Sequence, residues 1–184
     1  MSRRPVRRTA HPWGVIHGLV HLHHVINEGY AALRDSPHTE EATKRERVVT
    51  YFILHGIVES LGQVREALVL LGDMAECLAD IETHFQEDLD EWTNFRDDSA
   101  HIIDRTHRVS RPNDNDAVLQ ENELGYDTDT LAYNWDTDEV RTGVSHKMVL
   151  RPAVEKVEVI LRYTNQRIGE ALARGKIQPP PRFP

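Results

Sequence analysis

Apolar residues recur along the first half of the chain at helical spacing. From Trp13 to about Arg34, Val15, Leu19, Leu22, Ile26 and Leu33 follow one another at steps of three, four and seven. This predicts a helix with a single buried stripe. The run Asp35-Ser36-Pro37-His38-Thr39 predicts a turn, and Thr39 followed by Glu40, Glu41 and Ala42 predicts a capped helix start with an acidic first turn. The second helix then extends to about Leu71, with Val48, Phe52, Leu54, Val58, Leu61, Val64, Leu68 and Leu71 as its buried stripe and Gly72-Asp73 as its break. A third helix begins near Met74 and carries Met74, Leu78, Ile81, Phe85, Leu89, Trp92 and Phe95. Asn94, Asp97, Asp98 and Ser99 compete for backbone hydrogen bonds, so a bend or helix boundary is expected between Asn94 and Ser99, with helix continuing to about Val109.

The pattern then changes. Ser110-Arg111-Pro112-Asn113-Asp114-Asn115-Asp116 is a breaker cluster, and residues 117–128 show no period. Leu131–Trp135 and Val140–Leu150 read as two strands of a short hairpin joined by Asp136–Glu139. Pro152 fits the first turn of a last helix, whose stripe is Val154, Val157, Ile160, Leu161, Ile168 and Leu172. Gly175 stops it, and Pro179-Pro180-Pro181 makes a stiff exposed tail. The expected fold is mainly α: an up-and-down helical bundle of three long helices plus a C-terminal helix, with a small β-hairpin insertion. The expected organisation is a flexible basic arm at 1–12, one helical-bundle domain at 13–174 with a loop and hairpin insertion at 110–150, and a Pro-rich tail at 175–184.

Composition narrows the classes. With 39% hydrophobic and 28% charged residues the chain can build a core and stay in water. No apolar run approaches the ~20 residues of a membrane span, and the basic start Met1-Ser-Arg-Arg-Pro-Val-Arg-Arg lacks the apolar stretch of a signal peptide. A cytoplasmic location with no membrane partner is the expectation. The single Cys77 excludes an internal disulfide, and its spacing from Met74 and Ile81 makes it a small core residue. The formal charge of −8 argues against broad nucleic-acid binding but leaves room for a small local site. The cluster Arg3, Arg4, Arg7 and Arg8 reads as part of the solvated arm.

Chemistry concentrates at Asn94-Phe95-Arg96-Asp97-Asp98-Ser99-Ala100-His101, where an arginine and a histidine stand five positions apart. A histidine moves protons near neutral pH, and a guanidinium holds a phosphate with two parallel hydrogen bonds. Together they can cleave RNA without a metal. On a regular helix the two side chains point about 140° apart, so convergence on one phosphate needs arginine's reach, a local irregularity or a second chain. The bland alternative is a solvated face shared with Asp97, Asp98, Asp104 and Arg105. A second match, Arg141 to His146, lies in an extended segment and reads as coincidence.

The Arg-x4-His stretch, with a polar residue after its arginine and a long helix before it, resembles the signature of the HEPN family of helical domains in bacterial toxin–antitoxin and defence systems. The resemblance covers residues 13–109 and 151–174. It implies a homodimer with Arg96 and His101 near the interface, a metal-independent endoribonuclease or a catalytically silent relative, a locally bound specific RNA, no cofactor, and an antitoxin or defence partner. Under it His101 is the general base or acid, Arg96 the stabiliser of phosphate charge, Asp97 the group that orients Arg96, and Ser99 a further hydrogen-bond donor. One HEPN subgroup carries a modified tyrosine two residues after the histidine. Ile103 stands there, which argues against that form of regulation.

A rival constellation lies on the first helix. His17, His21, His24 and Glu28 recur at steps of four, three and four, and His55 and Glu59 stand four apart on the second helix. Imidazole and carboxylate ligate zinc or iron, and bundles build metal sites from facing helices. The Glu-x-x-His, Cys-x-x-Cys and His-Glu-x-x-His patterns do not occur, nor does a Gly-rich phosphate loop or a Gly-x-Ser-x-Gly elbow. A half-buried polar band on a bundle helix is the favoured account of the stripe. The alternatives to an RNase are therefore a non-enzymatic binding or scaffold bundle and a histidine-rich metal-binding bundle.

Overall fold

In the computed structural model, residues 12–36, 44–100, 131–142 and 146–180 are described. Residues 37–39 of the expected turn, the capped start at 39–42, the helix beyond Ala100, the breaker cluster, His101, Ile103 and residues 1–11 of the expected arm lie outside them, while Pro12 already belongs to the first helix. The elements are α1 (Pro12–Arg34), α2 (Lys44–Met74), one 3-10 turn (Glu76–Leu78), α3 (Asp80–His84), α4 (Gln86–Ala100), β1 (Ala132–Asn134), β2 (Glu139–Thr142), β3 (His146–Val149) and α5 (Leu150–Ala173). The chain is mainly helical with a small antiparallel sheet. None of the described helices is long and apolar enough to cross a membrane.

The core is assembled from the stripes of α1, α2, the 76–100 region and α5. Ile26, Leu33, Ile57, Leu61, Leu68, Leu71, Leu78, Ile81, Leu89 and Trp92 are all buried within it. Fully burying one such side chain contributes about 1.5–3 kcal/mol, which explains why the periodicity governs the packing. α1 and α2 run antiparallel, and Gly29 lets the Ile57 side chain approach to 3.0 Å of where a Cβ would stand.

Several expectations are corrected. Val48 and Phe52 do not belong to the buried stripe of α2: they are 45% and 67% exposed, and the stripe runs Leu54, Ile57, Val58, Leu61, Val64, Leu68, Leu71. Helical phase explains this, because Val48 and Phe52 drift off the face that Leu61 and Leu68 define. Gly72-Asp73 does not break α2, which continues to Met74. Gly72 instead admits the next segment, whose Ala79 Cα would stand 2.9 Å from a Cβ there.

The third helix is not continuous from Met74. A 3-10 turn and the short α3 precede α4, with a break at Phe85 (φ −114°). The apolar period survives the break, and Leu78, Ile81, Phe85, Leu89, Trp92 and Phe95 are all buried. No bend occurs between Asn94 and Ser99: α4 runs unbroken to Ala100, and the Ser99 hydroxyl donates to the Arg96 carbonyl at 2.7 Å within the helix.

The expected two-stranded hairpin is a three-stranded meander in the order β1-β2-β3. Tyr133 pairs with Val140, and Val140 with Met148. Leu131, Val140, Thr142 and Met148 turn inward. Asp138, at φ +57°, is the keystone of the sheet. Its carboxylate accepts from the Tyr30 hydroxyl at 2.9 Å, from the Tyr133 hydroxyl and from the Arg151 backbone N–H at 2.8 Å, and its carbonyl accepts from the Leu150 N–H at 2.9 Å. Val149, at the N-cap of α5, has no side chain able to cap, so the β1–β2 turn caps that helix from a distance. Arg34 donates to the Tyr133 hydroxyl at 3.2 Å and to the Trp135 carbonyl at 2.8 Å, which fixes the sheet to the end of α1.

At its other end α5 stops at Gly175 (φ +65°). The Gly175 N–H bonds to Leu172 and the Lys176 N–H to Ala171, a Schellman closure that favours glycine. The segment after it is not a wholly free tail. The Trp13 indole donates to the Gln178 carbonyl at 3.0 Å and Ile177 packs on the core.

Candidate functional site

The sequence motif lies on α4 where that helix packs antiparallel on α2. Trp92 and Phe95 anchor α4 in the core, and Arg65 of α2 reaches Glu82 at 3.1 Å and Asp90 at 2.5 Å. One turn further along α4, Arg96 emerges directly over Gly62, whose missing side chain leaves room for the arginine stem. The guanidinium is held on two sides. Nη1 donates to Glu66 Oε1 at 2.6 Å, while Nε and Nη2 donate to Asp97 Oδ1 at 3.1 and 3.0 Å. The Arg96 side chain is 16% exposed. The Glu66 hydrogen bond, more than the Asp97 one, raises its pKa further against the opposing effect of burial, so it stays a cation at any physiological pH.

Three of the five guanidinium N–H groups are used by these bonds, which leaves two to meet an incoming anion. Asp97, next to Arg96 on α4, accepts two of these bonds. Ser99 does not aim at the site: it is buried and donates to its own helix backbone. His101 lies outside the described residues.

The structure adds three residues that spacing did not reveal. Gly62 and Glu66 lie thirty-four and thirty positions from Arg96, and only helix packing brings them to it. His146, the histidine of the second Arg-x4-His match, is carried by β3 onto α4, where its Nδ1 pairs with Asp98 Oδ2. That match is thus no motif of its own, yet its histidine meets the first one. Asp98 stands two residues from Arg96 and therefore about 200° around the helix, so the Asp98–His146 pair and Arg96 occupy opposite flanks of α4.

The first-helix constellation is not gathered. His17, His21, His24 and Glu28 all lie on the exposed side of α1, and His24 Nδ1 stands 3.9 Å from Glu28 Oε1 with both side chains in solvent. On α2, Glu59 accepts from Gln63 at 3.1 Å, and His55 stacks on Tyr51 at a ring separation of 6.2 Å. Among the described residues no group of three or more His, Cys, Asp or Glu is placed to hold a metal ion.

Beside the Arg96 site a cavity of about 500 Å³ opens between α1 and α2. Its walls are mostly apolar, and Glu66 lies on its rim. The residue that holds Arg96 therefore also lines this cavity. Comparison of the chain with protein-family models, with curated proteins and with solved structures finds no match.

Proposed function

We propose that the chain is a HEPN-like, metal-independent endoribonuclease whose helices form an up-and-down bundle and which acts as a homodimer on a locally bound, specific RNA. The observation that supports this most is Arg96: a permanent cation, fixed at a cleft between two helices, aligned by Asp97, with two N–H groups left for a phosphate. In the reaction the ribose 2′-hydroxyl loses its proton to a base and its oxygen attacks the adjacent phosphorus. The bond to the 5′-oxygen breaks, a cyclic phosphate forms, and the leaving oxygen takes up a proton. Arg96 stabilises the charge that builds on the non-bridging oxygens, and His101 handles the protons. A role in toxin–antitoxin or defence biology, with an antitoxin or defence partner, follows from the same resemblance.

The Glu66–Arg96 bond also favours a second reading. An arginine tying α2 to α4 is what a non-enzymatic scaffold bundle needs at that position, and a catalytically silent relative would keep it. The test is cleavage of single-stranded RNA in the presence of EDTA by wild type, Arg96→Ala and His101→Ala. General acid–base help is worth about 10²–10⁴ in rate and a charge-stabilising donor about 10²–10³, so His101→Ala and Arg96→Ala each lose at least about a hundredfold if the site is catalytic. Equal activity in all three rejects the mechanism, and inactivity of all three, wild type included, selects the silent binding module.

A further inference from the structure

Glycine within a helix lowers stability relative to alanine, and proteins tolerate it where another backbone or side chain comes too close for a Cβ. Gly62 and Gly72 meet that condition. Gly14 and Gly18, one turn apart on α1, do not: a Cβ at either would meet nothing within 4 Å. The emptiness they leave is the α1–α2 cavity, about 500 Å³, within the range of small-molecule sites. Leu22, Ala67 and Leu70 supply its apolar wall.

The polar rim is selective. Glu66 contributes a carboxylate, His21 an imidazole, and Gln63 an amide that gives one N–H to Glu59 and keeps its second N–H and its carbonyl oxygen. Glu66 is the one acidic residue of this lining, and its carboxylate recognises a cationic hydrogen-bond donor, while the walls recognise an apolar body.

We propose that this cavity binds a small amphiphilic ammonium compound, its apolar body over Gly14 and Gly18 and its ammonium on Glu66. Glu66 Oε1 already accepts from Arg96 Nη1, so an ammonium that draws the same carboxylate toward the cavity pulls against that bond. Occupancy draws Glu66 toward the cavity and frees an N–H of Arg96 for phosphate, so the ligand is an activator. The activation rests on the reading of Arg96 given above; the binding does not.

The probe is phenethylammonium chloride, titrated into the ¹⁵N-labelled full chain with backbone and arginine side-chain resonances followed by NMR. Phenethyl alcohol and 3-phenylpropionate serve as matched neutral and anionic controls. Saturable shifts are expected along 14–22 and 63–70, with Kd on the order of 1 mM for so small a ligand. The Arg96 Nε–H resonance moves on the same curve. Gly18→Leu, which fills the cavity, weakens binding at least tenfold; Gly18→Ala, whose methyl group has open space, weakens it at least twofold and guards against a misfolded leucine variant. Glu66→Gln weakens it at least fivefold, and the propionate binds at least tenfold less well than the ammonium.

Absence of saturable shifts, equal affinity for the three compounds, or unchanged affinity in both Gly18 variants overturns the site. A stationary Arg96 resonance under saturating probe overturns the competition for Glu66. In the cleavage assay, saturating phenethylammonium raises the wild-type rate severalfold and leaves Glu66→Gln unmoved. Binding as described in a protein that cleaves no RNA strikes the ribonuclease reading and leaves the site standing.

Discussion

Arg96 lies across Gly62 so closely that a Cβ on the glycine would stand 2.5 Å from the arginine Cδ and 3.0 Å from its Cβ. The site therefore depends on an atom that is missing. An arginine stem can cross the neighbouring helix at this level and still reach Glu66 only if nothing projects from position 62. Gly62→Ala gains about 1 kcal/mol of helix propensity and loses about 1–3 kcal/mol to overpacking. The overpacking dominates, because the stem and not the flexible tip is displaced. The melting temperature is expected to fall by about 2–4 °C per kcal/mol lost. Gly18→Ala, facing open space, is expected to raise it. A scanning-fluorimetry comparison of the two reads both signs, and a rise in both would mean that Arg96 does not lie over Gly62.

The two carboxylates at Arg96 differ in role. Asp97 sits on the same helix and takes two of its hydrogen bonds, while Glu66 ties it to α2. Asp97→Asn keeps an acceptor, so the loss in RNA cleavage is expected to be under tenfold. Arg96→Lys keeps the charge but not the fork that spans both partners, and is expected to cost at least tenfold more than Asp97→Asn. Rates restored to wild type by lysine would show that only charge matters there.

Asp138 is expected to be the most sensitive polar position outside the site. Replacing it with alanine leaves the Tyr30 and Tyr133 hydroxyls and the Arg151 N–H without their acceptor and places a Cβ-bearing residue without a local hydrogen bond at φ +57°. Each buried donor left unsatisfied costs about 1–3 kcal/mol. Urea denaturation of Asp138→Ala is expected to show a loss of about 3 kcal/mol or more, and Asp138→Asn, which tolerates the left-handed conformation, about half of that. A change under about 0.5 kcal/mol for alanine would remove Asp138 as the cap of α5.

The same cluster gives the protein an alkaline limit. Burial first, then the hydrogen bond to Asp138, pushes the Tyr133 phenol up to about 12 from its ordinary 10.0. Tyr30 is raised as well, again chiefly by burial. A raised phenol pKa means the folded state holds its proton longer than the unfolded chain. The stabilisation is therefore complete below pH 10 and is lost as pH climbs through the folded value near 12. Stability is expected to fall by about 1–2 kcal/mol over that window, allowing for partial solvent access. Tyr133→Phe flattens this fall, and ultraviolet titration of the native protein records the phenol directly. A wild-type stability that stays constant from pH 9 to pH 12 (roughly the window that the two pKa values define) would contradict it.

The sequence by itself determined most of the residues that face the core. Burial of apolar area is local information written at 3.6-residue spacing, so α1, the middle and end of α2, the Leu78–Phe95 period and α5 could all be read from it. The helix stop at Gly175 was legible too, because a left-handed closure calls for glycine. So was the partnership of Asp97 with Arg96, two neighbours in the chain. The misreadings have physical causes. Gly72 looked like a break because a glycine's use for close packing against Ala79 cannot be told from its use as a terminator without the partner in view. Phe52 looked buried because it is apolar, although its helical phase sets it opposite Leu61.

What only the tertiary structure decided is which distant groups meet. Glu66 and Gly62 reach Arg96 because α2 and α4 run antiparallel at a level that no local pattern encodes, and His146 reaches Asp98 because a third strand folds back. The β1–β2 turn caps α5 through a carboxylate twelve residues ahead of that helix. Hydrogen bonds and ion pairs of this kind have no period along the chain. They depend on relative helix position to within an ångström, which the packing of the whole core sets.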